Sequence, residues 1–289
     1  MNDDSEQFIE SGGIHYSRKK VLHRETEYDE HAFTVLAQMQ REHFWYKGRH
    51  RFIQAAMEKI LQQHGADAEK LQAVDLGGGC GGWIEYLQSS SRQRFAELAL
   101  GDSSLTALTL AEKTVGTAAN RYQVDLIDLG WGDRWDIIFL LDVLEHIPDD
   151  LAVLESCRKA LRPDGLLIVT APALKFFWSY NDVLAKHQRR YSREDFQTLA
   201  EQSGLELIDV RYFMFLLSPL LWLSRIFSPG LDKLSQQQLA EIIKKSHRVP
   251  AKPINALLGW TFALETPLGL DLHFPWGTSI LGIFKCKKS

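Results

Sequence analysis

The stretch Ala73–Trp83, AVDLGGGCGGW, places five glycines directly after a short apolar run. Glycine loses more backbone freedom on folding than any other residue, so five of them inside a helix or strand would weaken it. They fit a tight turn between a strand and a helix, where bare backbone lets a ligand approach the N-terminus of the helix. The stretch reads as a strand end, a ligand-binding turn at Gly77–Gly82 and a helix start.

Downstream, short apolar runs alternate with helical patterns. ELALG (97–101), YQVDL (122–126), WDIIFLL (135–141) and GLLIVTA (165–171) read as strands, with helices over 83–91, 105–115 and 151–161 between strands. This βαβ rhythm predicts an α/β fold with a Rossmann-like, doubly wound sheet. RPDG at Arg162–Gly165 is a turn signal before the fifth strand. Ser192 and Asp195 form a capping-box pattern that opens a helix closed by Gly204. LELIDVRYF (205–213) and SILGIFKCK (279–287) read as sixth and seventh strands. The predicted sheet has seven strands, mostly parallel, with the last antiparallel.

Around that core (71–227 and 276–289), three further segments are expected. Residues 1–27 are polar and read as a flexible N-terminal segment. Residues 28–70 read as an N-terminal helical cap, with helices over Asp29–Gln40 and Gly48–His64 separated by EHFWYKGR. Residues 228–275 read as a C-terminal insert, a helical segment on the acceptor side, in which QQQLAEIIKKSHRVPAKP (236–253) reads as a surface helix and a linker.

The chain has 289 residues, 45% hydrophobic and 24% charged, with a formal net charge of -4. That balance suits a globular protein with a real core and does not point to nucleic acid as a partner. Cys80, Cys157 and Cys286 are sparse and lack metal-finger spacing, as in a reducing compartment. The start, MNDDSEQFIE, is acidic and lacks the order of a signal peptide, so a cytoplasmic location is expected. FMFLLSPLLWL, Phe213–Leu223, is interrupted by Pro219 and is shorter than the roughly 20 residues a bilayer span needs. It reads either as a buried strand followed by a packed helix or as a surface that meets lipid.

Gly77, Gly79 and Gly82 fit G-x-G-x-x-G, a spacing shared by several nucleotide cofactor sites. Asp102, at the end of the second strand, suits a ribose in any of them. Asp75 discriminates. A carboxylate beside the turn would repel a pyrophosphate, whereas a sulfonium cofactor carries an ammonium there. VDLGGGCGG thus resembles the first motif of the class I S-adenosylmethionine (SAM)-dependent methyltransferases. LALGDSS, YQVDLIDL, WDIIFLLDVLEHIPD and CRKALRPDGLLIVTAP resemble that family's following segments, and GTSILGIFKCK its antiparallel last strand beside the fifth.

The resemblance implies SAM as cofactor and S-adenosyl-L-homocysteine as product. It implies cofactor contacts from Asp75, Gly77, Gly78, Gly79 and Gly81. Asp102 with Ser103 would hold the ribose, and Asp125 with Leu126 the adenine. Leu141 and Asp142, ending the fourth strand, would meet the cofactor as well. HFWYKGR resembles an N-terminal segment that closes over the cofactor, with Trp45 and Tyr46 facing the sulfonium and Arg49 the methionine carboxylate; it reads equally as a helix start that packs its aromatics against the sheet, with Arg49 solvated. Cys80 reads as a small packed residue.

His146 and His187 are the candidate catalytic bases, or else histidines that brace loops. Asp142, Glu145, His146 and His187 resemble the metal-binding set of small-RNA 2'-O-methyltransferases and ubiquinone-type O-methyltransferases. Such ligands suit Mg, Mn or Zn, although no metal is favoured, because EH at this place also occurs in relatives without one. Arg189, Arg190 and Arg193 read as an anion site or a solvated charge run. The expected acceptor is a small molecule or a lipid-like one, methylated on oxygen, with peripheral membrane contact. Alternatives are an RNA or protein methyltransferase and a non-catalytic SAM-binding partner subunit. An NAD-type dehydrogenase is disfavoured by Asp75 and the terminal strand.

Overall fold

The computed structural model describes residues 7–21, 33–63, 70–226 and 248–287. Within them the apolar runs form strands β3 (Leu71–Leu76), β4 (Phe95–Asp102), β5 (Asn120–Gln123), β6 (Trp135–Leu141) and β7 (Leu161–Pro172). The last two strands are β8 (Leu205–Phe213) and β9 (Ser279–Cys286), and only β9 runs antiparallel to both of its neighbours, β7 and β8.

The strands are apolar on both faces because both faces are covered. Val74, Ile138, Leu140 and Val169 point into one cluster with Phe196 and Leu199, and Ala73, Ile137, Phe139 and Ile168 point into another with Phe52, Trp83 and Phe262. The first face carries helices α5 (Asp150–Ala160) and α7 (Arg193–Ser203). The second carries α2 (Phe44–Gln63), α3 (Gly82–Ser90) and α4 (Leu105–Val115). The chain steps from β3 to β4 and β5 on one side, then to β6 and β7 on the other. That reversal opens a crevice at the carboxyl ends of β3 and β6.

Three expectations change. The sheet has nine strands among the described residues, not seven. The extra pair, β1 (Phe8–Ser11) and β2 (Ile14–Ser17), lies in the segment expected to be flexible. Gly12 and Gly13, with φ of 60° and 74°, make the two-residue hairpin turn, and β2 pairs in parallel with β5. Phe8 packs on Tyr122 and Trp131, which ties the hairpin to the core. HFWYKGR is not a connector either, since α1 (Phe33–Glu42) and α2 are separated by His43 alone and α2 already begins at Phe44. RPDG falls inside β7 as a bulge: Leu161 pairs with Trp135, the next pair is Leu166 with Ile137, and Asp164 takes φ 65°.

The insert was expected to be helical. Residues 227–247, which hold most of the stretch read as a surface helix and a linker, lie outside the described set, and Lys252–Asp271 form a 20-residue helix. We label it α9. It packs on α2 through Phe262 and Gly269 and is fixed to the end of β8 by Glu265. Between them, α6 (Tyr180–Leu184) and α8 (Ser218–Ile226) stand at the carboxyl edge of the sheet. No helix among the described residues is long and apolar enough to cross a membrane.

Candidate active site

The crevice holds a cavity of about 570 Å³, within the ordinary range for small-ligand sites. Its floor is the glycine turn. Gly77, Gly79 and Gly81 have φ of 68°, 57° and 79°, which L side chains rarely adopt. Gly78 needs its bareness for another reason, because a Cβ there would collide with the Asp75 carboxylate and Leu100. Helix α1 lies across the turn: Gln40 Oε1 accepts from the Gly82 N–H at 3.3 Å, and the Cys80 thiol donates to the Phe33 carbonyl at 3.2 Å. Cys80 is buried, as a packed residue should be.

At the end of β4, Asp102 accepts from the Gly79 N–H at 3.0 Å and the Ser104 N–H at 2.9 Å. These bonds fix its carboxylate at the cavity wall beside Ser103. Asp75 is 1% exposed, and its Oδ1 has no hydrogen-bond partner. Burial pushes its pKa up to about 8, with Arg49 opposing and Asp102 adding. An acid held near neutrality with an orphaned oxygen, at a cavity wall, is suited to receive a cation.

The first turns of α2 supply the opposite wall. The Arg49 guanidinium lies 4.8 Å from the Trp45 ring centroid and 5.2 Å from that of Tyr46. It is paired with the Asp142 carboxylate, so the rings expected to face a sulfonium here face a guanidinium. Of the residues predicted to bind cofactor, Tyr46, Arg49, Asp75, Gly77, Gly78, Gly79, Asp102, Ser103, Leu126, Leu141 and Asp142 all line the cavity. Gly81 and Asp125 do not. Gly81 sits behind the turn as the left-handed N-cap of α3. Asp125 accepts from the Ile127 N–H at 3.2 Å within the loop after β5.

The far end of the cavity is built by two segments. After β6 a 3-10 turn, Leu144–His146, buries Glu145 and carries His146. After α6, His187 turns back so that its ring lies 4.9 Å from that of His146, edge to face. His187 Nδ1 is 3.0 Å from Asp182 Oδ1, and its Nε2 is 3.8 Å from Glu145 Oε1. Burial raises the pKa of Asp182, but bonds from His187, Arg190 and the Ser179 N–H, with the Arg190 charge, outweigh it and hold the carboxyl well below its usual range. Burial, then the Asp142 charge, push Glu145 well above the usual carboxylate range. Burial, then His187 and Lys186, lower His146 to about 3, so this imidazole is neutral at physiological pH.

Ligand atoms of Glu145, His146 and His187 lie within 4.8 Å of one another. Asp142, the fourth residue of the expected metal set, is outside that group and paired with Arg49. The arginines of HQRRYSR are neither a solvated run nor an open anion site. Arg190 is held by Asp182 at 2.7 Å and Arg189 by Asp150 at 2.7 Å, while Arg193 donates to the Phe274 carbonyl at 2.6 Å. Sequence reasoning missed Asp182 and Gln40. Asp182 had a signal, because it stands three residues after Ser179 in a capping box. Gln40 had none, since its contact with Gly82 spans two distant segments.

Residues 44–210 match the family model described as "Methyltransferase domain". The ubiquinone biosynthesis O-methyltransferase of Psychrobacter cryohalolentis is 31% identical over 118 residues, covering 36% of this chain and 45% of that protein. Its counterpart in Histophilus somni is 28% identical over 131 residues, covering 42% and 53%. The chain thus spans about half the length of the curated relatives it matches. Among solved structures, phosphoethanolamine N-methyltransferase 2 of Haemonchus contortus, in complex with SAM, superposes with a TM-score of 0.56 at 17% identity, over 95% of this chain and 62% of that one. The cyclase SpnF does so at 0.57 and 13% identity, over 90% and 94%. Likeness at that identity speaks to the fold alone. With the family model covering more than half of its length, the chain belongs to the class I SAM-dependent methyltransferases.

Proposed function

We propose that this protein transfers a methyl group from SAM to a hydroxyl oxygen of a small or lipid-like acceptor. The observation that carries the reading is the pairing of two features in one cavity. At one end stand the orphaned carboxyl of Asp75 and the fixed carboxylate of Asp102. At the other stands an imidazole anchored to an ionised carboxylate, His187 on Asp182.

The donor set fits SAM. Asp75 would receive the ammonium of its methionine portion, and Asp102 the ribose hydroxyls. Gly77, Gly78 and Gly79 would let the backbone approach. When bound, SAM supplies a methyl group on cationic sulfur, and its departing sulfur needs no proton. The chain's remaining task is to align the acceptor, exclude water and accept one proton. His187 is suited to take that proton. With Nδ1–H donated to Asp182, its Nε2 is the basic nitrogen, and the His187 ring borders the cavity. His146, kept neutral by burial, is the neighbour that shapes the pocket. Trp45, Phe44, Leu184, Met214 and Leu221 give the walls an apolar character that suits a hydrophobic acceptor.

One observation favours a second reading of the same end. The grouped atoms of Glu145, His146 and His187 would suit a divalent cation, with Asp182 behind His187 as the carboxylate that orients a ligand. Such an ion would lower the acceptor's pKa in place of the base.

The test is incubation with methyl-labelled SAM and cell extract, followed by fractionation. Label in the organic or small-molecule fraction, released by conditions that cleave methyl ethers, is expected. Label in RNA or protein would refute the acceptor class. SAM binding with no label transferred at all would favour a non-catalytic partner subunit. Unchanged activity after exhaustive chelation would remove the metal reading.

A further inference from the structure

We propose that the face formed by α8, α9 and the turn at Lys175–Phe177 docks on a bilayer carrying anionic headgroups, with the cavity opening at that interface. The source it assigns to the acceptor, the lipid phase, rests on the methyltransferase reading, whereas the docking does not.

A solvated helix face carries charge. The outward face of α9 does not. Ile254, Leu257, Trp260, Leu264 and Leu268 recur every three or four residues, and Leu257 and Trp260 are each 62% exposed. On α8, Leu220, Trp222 and Leu223 are exposed as well. The two helices adjoin, because the Glu265 carboxylate of α9 accepts from the N–H groups of Phe215 and Leu216, just before α8. Phe176, 70% exposed, stacks on Trp222 with ring centroids 5.8 Å apart, and the Trp276 indole N–H donates to Ser218. Apolar surface this continuous is unusual on a free monomer. Indoles with one polar edge are characteristic of the headgroup level.

The charge distribution selects the occupant. Across 173–187, 214–226 and 248–271 the chain carries three carboxylates: Asp182 and Glu265 are fully buried, and Asp271, the last residue of α9, is exposed and paired with Lys59 at 2.9 Å. Lys175, Lys186, Arg248 and Lys252 are exposed in the same stretches. An apolar field rimmed by cations, whose one exposed acid in these stretches sits at the far end of α9 and is already paired with a lysine, complements an anionic membrane surface. A second copy of the chain would instead set like cations against each other. The face is also continuous with the cavity, since Leu221 of α8 and Met214 line its wall.

The experiment is flotation of the full chain with vesicles of phosphatidylcholine containing about one-quarter phosphatidylglycerol, beside vesicles without it. Co-flotation with the anionic vesicles is expected, reduced about fivefold or more by Lys175→Glu with Lys252→Glu. Trp260→Ser with Leu220→Ser is expected to reduce it about tenfold or more on both vesicles. All four sites are exposed, and circular dichroism of each variant checks its fold. Flotation of the wild type with neither vesicle, or flotation unchanged in the double variants, overturns the proposal. So does a dimer in sedimentation velocity that Trp260→Ser dissociates. Calorimetric binding of S-adenosylhomocysteine to the same preparation separates the two readings: binding without flotation ends the docking proposal alone, and flotation without binding ends the methyltransferase reading alone.

Discussion

Replacing Asp75 by Asn tests the electrostatics of the cavity most directly. Its carboxyl moves from 3.8 to about 8 on folding, burial being the main cause. At pH 7, therefore, about one site in ten is ionised before ligand arrives. A ligand with an ammonium selects the ionised form, so its binding releases a proton below pH 8. Its affinity is expected to rise by about tenfold, or about 1.4 kcal/mol, for each pH unit between roughly 5.5 and 7.5. Above that window the ligand's own amine begins to neutralise. The sign for stability is the reverse. The folded state keeps a proton that the unfolded chain has lost, so the contribution of this carboxyl to ligand-free stability is greatest at the acid end and falls as pH rises from 3.8 towards about 8. Asn mimics the protonated acid, so Asp75→Asn should flatten both profiles. The assay is titration calorimetry with S-adenosylhomocysteine in two buffers of different ionisation enthalpy, which counts the protons released. A wild-type affinity that is flat over this window, with no proton released, would refute the reasoning.

Asp102→Ala removes the acceptor of the Gly79 and Ser104 N–H groups as well as the proposed ribose contact. Cofactor affinity measured by calorimetry should fall by about 30-fold or more. His187→Gln should lower methyl transfer by about 10²- to 10⁴-fold while leaving S-adenosylhomocysteine affinity nearly unchanged. Asp182→Asn should shift the pH–rate profile through His187, which a purely structural role would not do, and the two activities are to be read against the labelled acceptor fraction. Glu265→Ala leaves the Phe215 and Leu216 N–H groups without their buried acceptor, and thermal unfolding should show a loss of about 2–4 kcal/mol.

Local chemistry explains which parts of the fold were legible. Runs such as WDIIFLL are apolar on both faces, and only a strand covered from both sides needs that. Ser192 with Asp195, and Gly204 at φ 74°, mark the ends of α7 by bonds that span only a few residues. The N-terminal hairpin carried an equally local mark, Gly12-Gly13 between FIES and IHYS, and was lost because the polar composition around it suggested flexibility. RPDG reads as a turn before a strand, yet it bulges within β7, because the register that β6 imposes pairs Leu161 as well as Leu166. The helical character of the insert was legible, but the bounds of α9 were not, because its outward face is apolar as well and leaves no polar stripe to mark where the helix starts and stops.

For the candidate site, the sequence by itself determined the glycine turn and the acids at the ends of β3 and β4. Their spacing along one βαβ unit fixes their place at the carboxyl edge of the sheet. Tertiary structure decided what no spacing encodes. It paired Arg49 with Asp142, placed Asp182 behind His187, gave each HQRRYSR arginine a partner within the protein, and left Asp125 outside the cavity. Each of these outcomes depends on which distant partner occupies the last few ångströms beside a charge, and that is set only when the helices pack on the sheet.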